Sequence, residues 1–217
     1  MQLVLLSGGS GKRLCPLSNN VRSKQFLPLL EKEDGTIESM VQRVVRQAKA
    51  AGLTNAITLA TNTSQLDIIT NQLGDTVSVV TEPECRDTFP AIALAASYLH
   101  FAKCCADDEV IVIMPCDPYT EADYFETIGK MVECVKRDVA ELVLMGITPT
   151  YPSEKYGYVM PIASDNEYKM VSYFTEKPTV ERAKELLAEN AYWNGGVFAF
   201  RLGYMMNIVK KYIALNS

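Results

Sequence analysis

Short apolar runs alternate along the chain with segments in which apolar residues recur every three or four positions. A short apolar run predicts a buried strand, and the three-to-four period predicts an amphipathic helix. Strands are predicted at 2–7, 55–60, 76–80, 109–114 and 139–147. Helices are predicted between them at 36–51, 63–73, 88–105 and 121–137. This alternation is typical of βαβ units, so we predict an α/β fold with a three-layer, doubly wound, mostly parallel sheet.

The alternation changes after Pro149. Two short runs at 156–161 and 168–174 flank a polar turn, which predicts a small antiparallel section. A helix at 180–189, a strand at 196–201 and a helix at 204–212 are predicted to follow. No repeat, low-complexity stretch or linker interrupts the sequence, so residues 1–217 are predicted to form a single domain.

Composition narrows the class of protein. The 217 residues are 48% hydrophobic, which suffices for one buried core, and a formal charge of −5 argues against a protein that coats nucleic acid. No apolar run approaches the roughly 20 residues of a membrane span, and no signal-peptide pattern is present, so we expect a cytoplasmic location without a membrane partner. The six cysteines lack C-x-x-C spacing, which favours free thiols over zinc or disulfides.

A glycine-rich loop directly follows the first predicted strand and carries the sequence Gly8-Gly9-Ser10-Gly11-Lys12-Arg13. Glycines let a polyphosphate approach backbone N–H groups, and Lys12 and Arg13 add positive charge. A Walker loop is excluded because Leu6 stands where its first glycine belongs, and Leu14 excludes a dinucleotide fingerprint. The loop is therefore predicted to bind phosphate, with a flexible glycine turn as the alternative.

Polar residues also follow the other predicted strands, at the edge of the sheet where open α/β folds bind ligands. Asp117 follows the strand at 109–114 and is a candidate Mg²⁺ ligand, because a hard carboxylate shares that ion with nucleotide phosphates. The alternative is that Asp117 caps the next helix or lies in a turn before it. The remaining candidates in this half are Lys24, Glu82, Arg86 and Thr88.

A second set of candidates lies after residue 150 and suits a ligand rich in hydroxyl groups. Glu176 and Asn194 offer donors and acceptors for hydroxyls, Lys177 could hold a single phosphate, and Gly157 lies in a Tyr-Gly-Tyr segment. Each signal is weak by itself, because an adjacent Glu-Lys pair is commonly solvated and Asn-Gly is commonly a turn.

Together and in this order, these segments resemble the sugar-1-phosphate nucleotidyltransferase family, and within it the mannose-1-phosphate guanylyltransferases (GDP-mannose pyrophosphorylases). The resemblance covers essentially the whole chain. It rests on the glycine loop with Leu-x-Pro-Leu-Ser, Lys-Gln-Phe at 24–26, Glu-Pro at 82–83 with Arg86 and Thr88, Phe-x-Glu-Lys-Pro at 174–178 and Trp-Asn-x-Gly at 193–196. It implies the Rossmann-like nucleotide-diphospho-sugar transferase fold and a single catalytic domain.

The resemblance implies that the phosphate oxygen of mannose 1-phosphate attacks the α-phosphorus of GTP, yielding GDP-mannose and pyrophosphate without a covalent enzyme intermediate. Arg13, Lys24 and Asp117 would be catalytic, with Arg13 holding the β- and γ-phosphates and Asp117 holding Mg²⁺. The implied nucleotide site comprises Gly8, Gly9, Gly11, Lys12, Arg13, Glu82, Arg86 and Thr88, and the implied sugar-phosphate site comprises Gly157, Glu176, Lys177 and Asn194. A second copy of the chain is a further candidate partner.

The chain departs from the family pattern in its loop and in its length. Lys12 stands where the family commonly has Thr, and Cys15 where it has Trp, which alters the charge and packing of the loop. Family members continue well past residue 217, so the catalytic domain is expected to lack its C-terminal part. Two alternatives stay open. One is a transferase for another pair, such as glucose or fucose 1-phosphate with a different nucleotide, and the other is a non-catalytic module that binds a nucleotide or nucleotide sugar.

Overall fold

The structure is a computed structural model that describes residues 1–8, 17–18, 23–84 and 87–213. Its strands are β1 (Gln2–Leu6), β2 (Pro28–Glu31), β3 (Ile37–Ser39), β4 (Ile57–Asn62), β5 (Ser78–Glu82), β6 (Val110–Pro115), β7 (Leu142–Ile147), β8 (Tyr158–Pro161), β9 (Val171–Thr175) and β10 (Tyr192–Arg201). Its helices are α1 (Met40–Ala50), α2 (Leu66–Leu73), α3 (Thr88–Ser97), α4 (Ala122–Lys136), α5 (Val180–Ala188) and α6 (Leu202–Tyr212). Backbone contacts divide the chain into a first unit, Met1–Val143 with Phe198–Ser217, and a second unit, Leu144–Val197.

The sheet of the first unit explains why the polar candidates gather at one edge. Its strands run in the order β5-β4-β1-β6-β10. Strand β1 is parallel to β4 and to β6, and β4 is parallel to β5, whereas β10 runs antiparallel to β6. Because the carboxyl ends of β1, β5 and β6 lie at the same edge, the segments that follow these strands lie there too.

Both faces of the central strands are buried. Val4, Ile111 and Ile113 belong to a core that also contains side chains of α3 and α6. Leu3 and Leu5 point to the opposite face, since side chains alternate along a strand, and they are fully buried as well. Helix α4 contacts both β6 and α1. The continuous apolar sequence of these strands is explained by this double burial, and the predicted mostly parallel α/β fold is confirmed.

The predicted helix at 36–51 is wrong at its start. Residues Ile37–Ser39 form β3, which pairs antiparallel with β2, and α1 begins at Met40. The reason is a capping box. The hydroxyl of Ser39 accepts a hydrogen bond from the backbone N–H of Gln42, and the side-chain Oε1 of Gln42 accepts one from the backbone N–H of Ser39 at 2.9 Å. These two bonds satisfy donors that the helix cannot satisfy itself, so the helix starts here.

Two other elements differ from the prediction by four residues or more at one end. The helix predicted at 88–105 consists of α3 followed by a π-helical turn at Tyr98–Ala102. The strand predicted at 196–201 begins at Tyr192, and Gly196 within it has a φ of 69°, a left-handed value that glycine adopts without steric cost. None of the helices in the described part of the chain has both the length and the apolar character needed to span a membrane.

The second unit contains the predicted antiparallel section. Tyr158 of β8 lies opposite Thr175 of β9, β10 pairs with the other edge of β8, and β7 pairs with β10. Helix α5 covers this layer with Ala183 and Leu186, which are fully buried in one cluster with Tyr158. Backbone contacts alone define the two units, and a single domain over residues 1–217 stays a prediction.

Candidate functional site

The first unit holds the residues predicted to bind the nucleotide. Those that the structure describes are Gly8, Lys24, Glu82, Thr88 and Asp117. Gly9, Gly11, Lys12, Arg13 and Arg86 lie outside the described residues. The phosphate-binding loop beyond Gly8 therefore stays a prediction.

Lys24 and Asp117 form an ion pair between Lys24 Nζ and Asp117 Oδ2. Lys24 begins a 3₁₀ turn at Lys24–Phe26, and Asp117 follows the end of β6. Their side chains are 36% and 28% exposed, so a ligand in solvent can reach both. The alternative role of Asp117 as a helix cap is wrong, because Glu121 is the N-cap residue of α4. The structure thus brings together a cation and a carboxylate that were both predicted to be catalytic.

Glu82 ends β5 beside the start of the glycine loop. A Cβ atom added to Gly8 would lie 3.9 Å from Glu82 Oε1. Glu82 is only 6% exposed, and this burial raises the pKa of its carboxyl group. A buried carboxylate is costly unless hydrogen-bond donors surround it. The position therefore favours a ligand that brings N–H or O–H donors to Glu82.

Thr88 is the first residue of α3, and Asp87 fixes the entry into that helix. Asp87 Oδ1 accepts a hydrogen bond from the Thr88 amide at 2.8 Å and lies 3.3 Å from the Thr88 hydroxyl. The backbone of Asp87 has a φ of 78°, in the left-handed region that costs most residues about 1–2 kcal/mol. Asp87 was not predicted as a site residue, although an Asp before a helical pattern is a cap signal.

A buried network of polar side chains adjoins these residues, and no sequence pattern indicated it. Gln65 Oε1 accepts hydrogen bonds from the hydroxyls of Ser7 at 3.1 Å and Thr61 at 2.5 Å. Gln65 Nε2 donates to Ser23 Oγ at 2.8 Å, and Gln25 Nε2 donates to Ser7 Oγ at 2.9 Å. All five residues are buried. Ser7 immediately precedes Gly8, and Ser23 and Gln25 flank Lys24.

Cys116 joins the same region from the end of β6. Its amide donates to the Leu6 carbonyl at 3.1 Å, and its thiol interacts with the Ser7 hydroxyl. Burial, with a smaller contribution from the adjacent Asp117 carboxylate, raises the pKa of the thiol to about 12. Cys116 is therefore a neutral packing residue beside the candidate site.

In the second unit, Gly157 provides space for the side chain of Glu176. A Cβ atom on Gly157 would lie 2.7 Å from Glu176 Oε2 and 2.6 Å from Phe174 Cζ, which is closer than such atoms pack. Glu176 Oε1 pairs with Lys177 Nζ at 3.1 Å, and the two side chains are 54% and 65% exposed. The two side chains therefore form the solvated Glu-Lys pair of the predicted alternative. Lys177 also has a φ of 43°, a strained value for a residue other than glycine.

Asn194 lies within β10, so the alternative of a simple Asn-Gly turn is wrong. Its backbone N–H donates to the Gly157 carbonyl at 2.8 Å, and its side-chain Oδ1 accepts from the Gly196 backbone N–H at 3.0 Å. These bonds leave Nδ2 as the part of the side chain that could donate to a ligand. Gly157 thus connects Asn194 and Glu176, and the predicted sugar-phosphate residues form one neighbourhood.

Asp117 is the residue of this set that could hold a metal ion. In the described ranges, no three His, Cys, Asp or Glu side chains cluster as a metal site. A single carboxylate suits Mg²⁺, which usually takes one or two protein carboxylates and completes its coordination with water and phosphate oxygens. The donor set therefore fits Mg²⁺ as a partner of a bound nucleotide.

A mostly parallel sheet with the polar Lys24–Asp117 pair at its carboxyl edge is typical of a ligand-binding α/β enzyme. The chain belongs to the nucleotidyl transferase family, whose profile matches residues 2–215.

Curated relatives narrow the comparison within this family. The alginate biosynthesis protein AlgA of Pseudomonas syringae pv. tomato is 33% identical over 96% of this chain and 43% of its own length. The mannose-1-phosphate guanylyltransferase of Sinorhizobium fredii is 33% identical over 91% of this chain and 38% of its own length. The chain thus spans about two fifths of the length of these curated relatives.

Solved structures agree with the fold. A crystal structure from Thermus thermophilus, described as a mannose-1-phosphate geranyltransferase, superposes with a TM-score of 0.83. It is 27% identical and covers 98% of this chain and 61% of that one. A UDP-glucose pyrophosphorylase from Acinetobacter baumannii superposes with a TM-score of 0.69 at 19% identity, over 94% of this chain and 75% of that one, which supports the fold alone.

Proposed function

We propose that the protein transfers the GMP part of GTP to mannose 1-phosphate, forming GDP-mannose and pyrophosphate. The observation that carries this proposal is the Lys24–Asp117 ion pair. Leu6 pairs with Pro115, so Gly8 and Asp117 each follow the end of one of two neighbouring parallel strands. Relatives named mannose-1-phosphate guanylyltransferase, at 33% and 30% identity, support this choice of sugar and nucleotide.

Transfer at the α-phosphorus depends on alignment and charge neutralisation, and it needs no protein nucleophile. Lys24 would donate to a non-bridging oxygen of the α-phosphate and stabilise the negative charge that grows there in the transition state. Gly8 would let the triphosphate approach the backbone. Arg13 and Lys12 are proposed to hold the β- and γ-phosphates, which become the leaving pyrophosphate.

Asp117 is proposed to hold Mg²⁺, contributing one hard oxygen ligand beside the phosphates. When bound, the ion would neutralise phosphate charge and orient the triphosphate. Lys24 would keep its role as a donor to the α-phosphate. The ion pair with Asp117 orients the ammonium group before the nucleotide arrives.

Glu82 is proposed to select guanine among the nucleobases. Guanine presents two adjacent donors, N1–H and the N2 amino group, and a carboxylate accepts two such bonds side by side. The burial of Glu82 and the raised pKa of its carboxyl group support this role, because a ligand with paired donors relieves an unfavourable buried charge. Thr88 and Arg86 are proposed to complete the base site.

The second unit is proposed to bind mannose 1-phosphate. Glu176 would accept from sugar hydroxyls, and Asn194 would donate through Nδ2. Lys177 would hold the phosphate, exchanging its pairing with Glu176 for a more highly charged partner. Gly157 has no side chain, which would let the ring approach its backbone once the ends of the Glu176 and Phe174 side chains move aside. The cytoplasmic location and the association with a second copy of the chain stay predictions.

A second candidate function is a non-catalytic module that binds the nucleotide or nucleotide sugar. It is favoured by the single carboxylate at Asp117, since no group of three metal-ligating side chains occurs in the described part of the chain. A module of this kind would bind GTP or GDP-mannose and release no pyrophosphate. Another sugar and nucleotide pairing is the remaining alternative.

The test is pyrophosphate release from the purified chain with Mg²⁺. GTP, ATP, UTP, CTP and dTTP are each paired with mannose 1-phosphate, glucose 1-phosphate and fucose 1-phosphate. We expect release with GTP and mannose 1-phosphate, and its loss when EDTA is added. Release with another pair would change the substrate assignment. No release from any pair, with GTP binding measured by calorimetry, would replace the transferase with the binding module.

A further inference from the structure

The segments around the Lys24–Asp117 pair share one buried hydrogen-bond network. We propose that Gln65 is a positioning residue at the centre of this network, where it fixes Lys24 and the backbone before Gly8 for a nucleoside triphosphate. The inference deepens the proposed function and rests on it in naming the triphosphate as the ligand. Gln65 touches neither Lys24 nor Asp117 in any described contact, so it would act through its neighbours.

Gln65 uses both ends of its amide in the interior of the first unit. The residue is fully buried. Its Oε1 accepts from Ser7 Oγ and Thr61 Oγ1, and its Nε2 donates to Ser23 Oγ at 2.8 Å. A buried amide that is bonded at both ends has one orientation, because turning it over would break these bonds without help from water.

The network closes a ring around Lys24. Ser23 is held by Gln65, Gln65 is held by Ser7, and Ser7 accepts from Gln25 Nε2 at 2.9 Å. The backbone from Ser23 to Gln25 completes the ring, with Lys24 in its middle. The backbone of Lys24 therefore cannot move by much unless one buried hydrogen bond breaks.

The same serine connects the other members of the site. Ser7 is followed by Gly8, and its hydroxyl interacts with the Cys116 thiol. Cys116 is also anchored by its amide to the Leu6 carbonyl at 3.1 Å, and Asp117 follows it in the chain. Ser7, which is bonded to Gln65, thus precedes Gly8 in the chain and contacts Cys116, the residue before Asp117.

Packing alone does not explain this arrangement. A buried hydrogen bond contributes little net stability, because the unfolded chain bonds equally well to water. An apolar side chain of similar length at position 65 would fill the space, but it could not accept from Ser7 and donate to Ser23 as the amide does. The network is therefore suited to orientation, and its removal should weaken ligand binding as well as lower the free energy of unfolding.

The test is a double-mutant cycle on the whole chain, with the affinity for Mg–GTP measured by calorimetry and the stability by urea unfolding. Gln65→Met keeps the length of the side chain and removes its hydrogen bonds. Lys24→Met removes the group that Gln65 is proposed to position. The matched control is Gln72→Met, because Gln72 lies on the adjacent helix α2 and also has both amide ends bonded, to Phe26 O at 2.8 Å and from Ser39 Oγ at 2.7 Å.

We expect Gln65→Met to weaken Mg–GTP binding about tenfold in the wild-type background and about threefold in the Lys24→Met background, since coupled residues give non-additive effects. Gln72→Met should weaken it less than twofold. An equal factor in both backgrounds, or an effect of Gln65→Met no larger than that of Gln72→Met, would overturn the inference.

A smaller change guards against misfolding of the first variant. Ser23→Ala removes the hydroxyl that accepts from Gln65 Nε2, and we expect it to weaken Mg–GTP binding about threefold with a smaller loss of stability than in Gln65→Met. No change in affinity would overturn the inference. Coupling in binding without pyrophosphate release would reject the proposed function alone, and release without coupling would reject the role of Gln65 alone. A chain that binds no nucleoside triphosphate would reject both.

Discussion

The two units hold their candidate residues in different ways. In the first unit, Lys24 lies within a ring of buried hydrogen bonds and Glu82 is 6% exposed. In the second unit, the side chains of Glu176 and Lys177 are more than half exposed and pair with each other. The atoms that crowd Gly157 are the ends of two side chains, which can move. The proposed nucleotide site is therefore preorganised, whereas the proposed sugar-phosphate site has room to adjust.

This difference separates two tasks of a transferase. Donors that are fixed in advance stabilise a transition state well, because they do not need to reorganise during the reaction. Exposed side chains contribute less energy, because solvent replaces their contacts easily, so they discriminate only weakly between sugars that differ at one hydroxyl. Substitutions in the first unit should therefore change the rate and the nucleotide, and substitutions in the second unit should change the apparent affinity for the sugar phosphate.

The largest effect is expected from Asp117→Asn. The change keeps the size of the side chain and removes the charge that pairs with Lys24 and would bind Mg²⁺. We expect kcat for pyrophosphate release to fall by about a hundredfold or more, the range seen when one preorganised charge or donor is removed. Asp123→Asn is the control, because Asp123 lies on the surface and accepts from the Tyr124 amide. Equal activity of the two variants would show that Asp117 of the first unit takes no part in the reaction.

The next effect is a loss of base selection in Glu82→Gln. An amide can accept only one of the two donors of guanine, so we expect the preference for GTP over ATP to fall by about ten- to a hundredfold, as for a lost pair of hydrogen bonds to a base. The ratio of kcat/KM values measures it. An unchanged ratio would show that Glu82 does not contact the base.

Glu82 also predicts a pH dependence of stability. Because burial raises the pKa of its carboxyl group, the folded state binds this proton more tightly than the unfolded chain does. Its contribution to the free energy of unfolding is therefore favourable below the ordinary Glu pKa and is lost as pH rises through the raised value. Glu82→Gln should be more stable than wild type in urea at pH 8, and the two should converge near pH 4.

A moderate effect is expected from Lys177→Gly. Glycine removes the proposed phosphate contact, so KM for mannose 1-phosphate should rise about tenfold while kcat changes little. It also relieves the φ of 43°, so the variant should keep its stability or gain up to about 1 kcal/mol. Asn190→Gly is the control, because Asn190 has a φ of 63° and no proposed ligand contact. A similar rise of KM in both variants would assign the effect to the backbone.

A smaller effect should follow Gly157→Ala. The added methyl group would displace the ends of the Glu176 and Phe174 side chains, which can move at little cost. We expect KM for mannose 1-phosphate to rise about threefold with little change in thermal stability. Gly129→Ala in α4 is the control, since its new methyl group would meet nothing closer than 3.9 Å. A large loss of stability in Gly157→Ala would mean that the second unit is as rigid as the first.

The smallest effect is the inertness of Cys116. With its pKa at about 12 and its side chain buried, the thiol should not react with iodoacetamide at pH 8, whereas the exposed Cys104 should. Mass spectrometry of peptides locates the label. Rapid labelling of Cys116 in the folded protein would show that the region around Ser7 opens to solvent, against the idea of a preorganised half.

The sequence was sufficient for the features that depend on local patterns. The apolar run of β6 and the period of α4 predicted both elements closely, because double burial and amphipathic packing impose simple spacings. Asp117 and Lys24 were predicted from their positions after strands, and the structure brings them together. Their roles in catalysis stay predictions.

Features that depend on distant partners could not be predicted in this way. Ser7 and Gln65 lie 58 positions apart, and a buried glutamine leaves no periodic signal. The start of α1 was missed for a different reason: Ser39 and Gln42 form a local capping-box signal, but the β-forming residues before Ser39 continue the apolar pattern. The exposed Glu176–Lys177 pair shows that the charge pattern of a sequence does not by itself distinguish a binding site from a solvated surface.

The antiparallel pairing of β10 with β6 constrains how the chain can be made. Phe198 to Arg201 are the residues that cover the edge of β6, and they are synthesised long after it. Until they emerge from the ribosome, Val110–Pro115 presents an unpaired apolar edge, which is the kind of surface that recruits other strands. A nascent chain stopped before residue 198 should therefore aggregate, and one extended past Arg201 should become resistant to proteolysis.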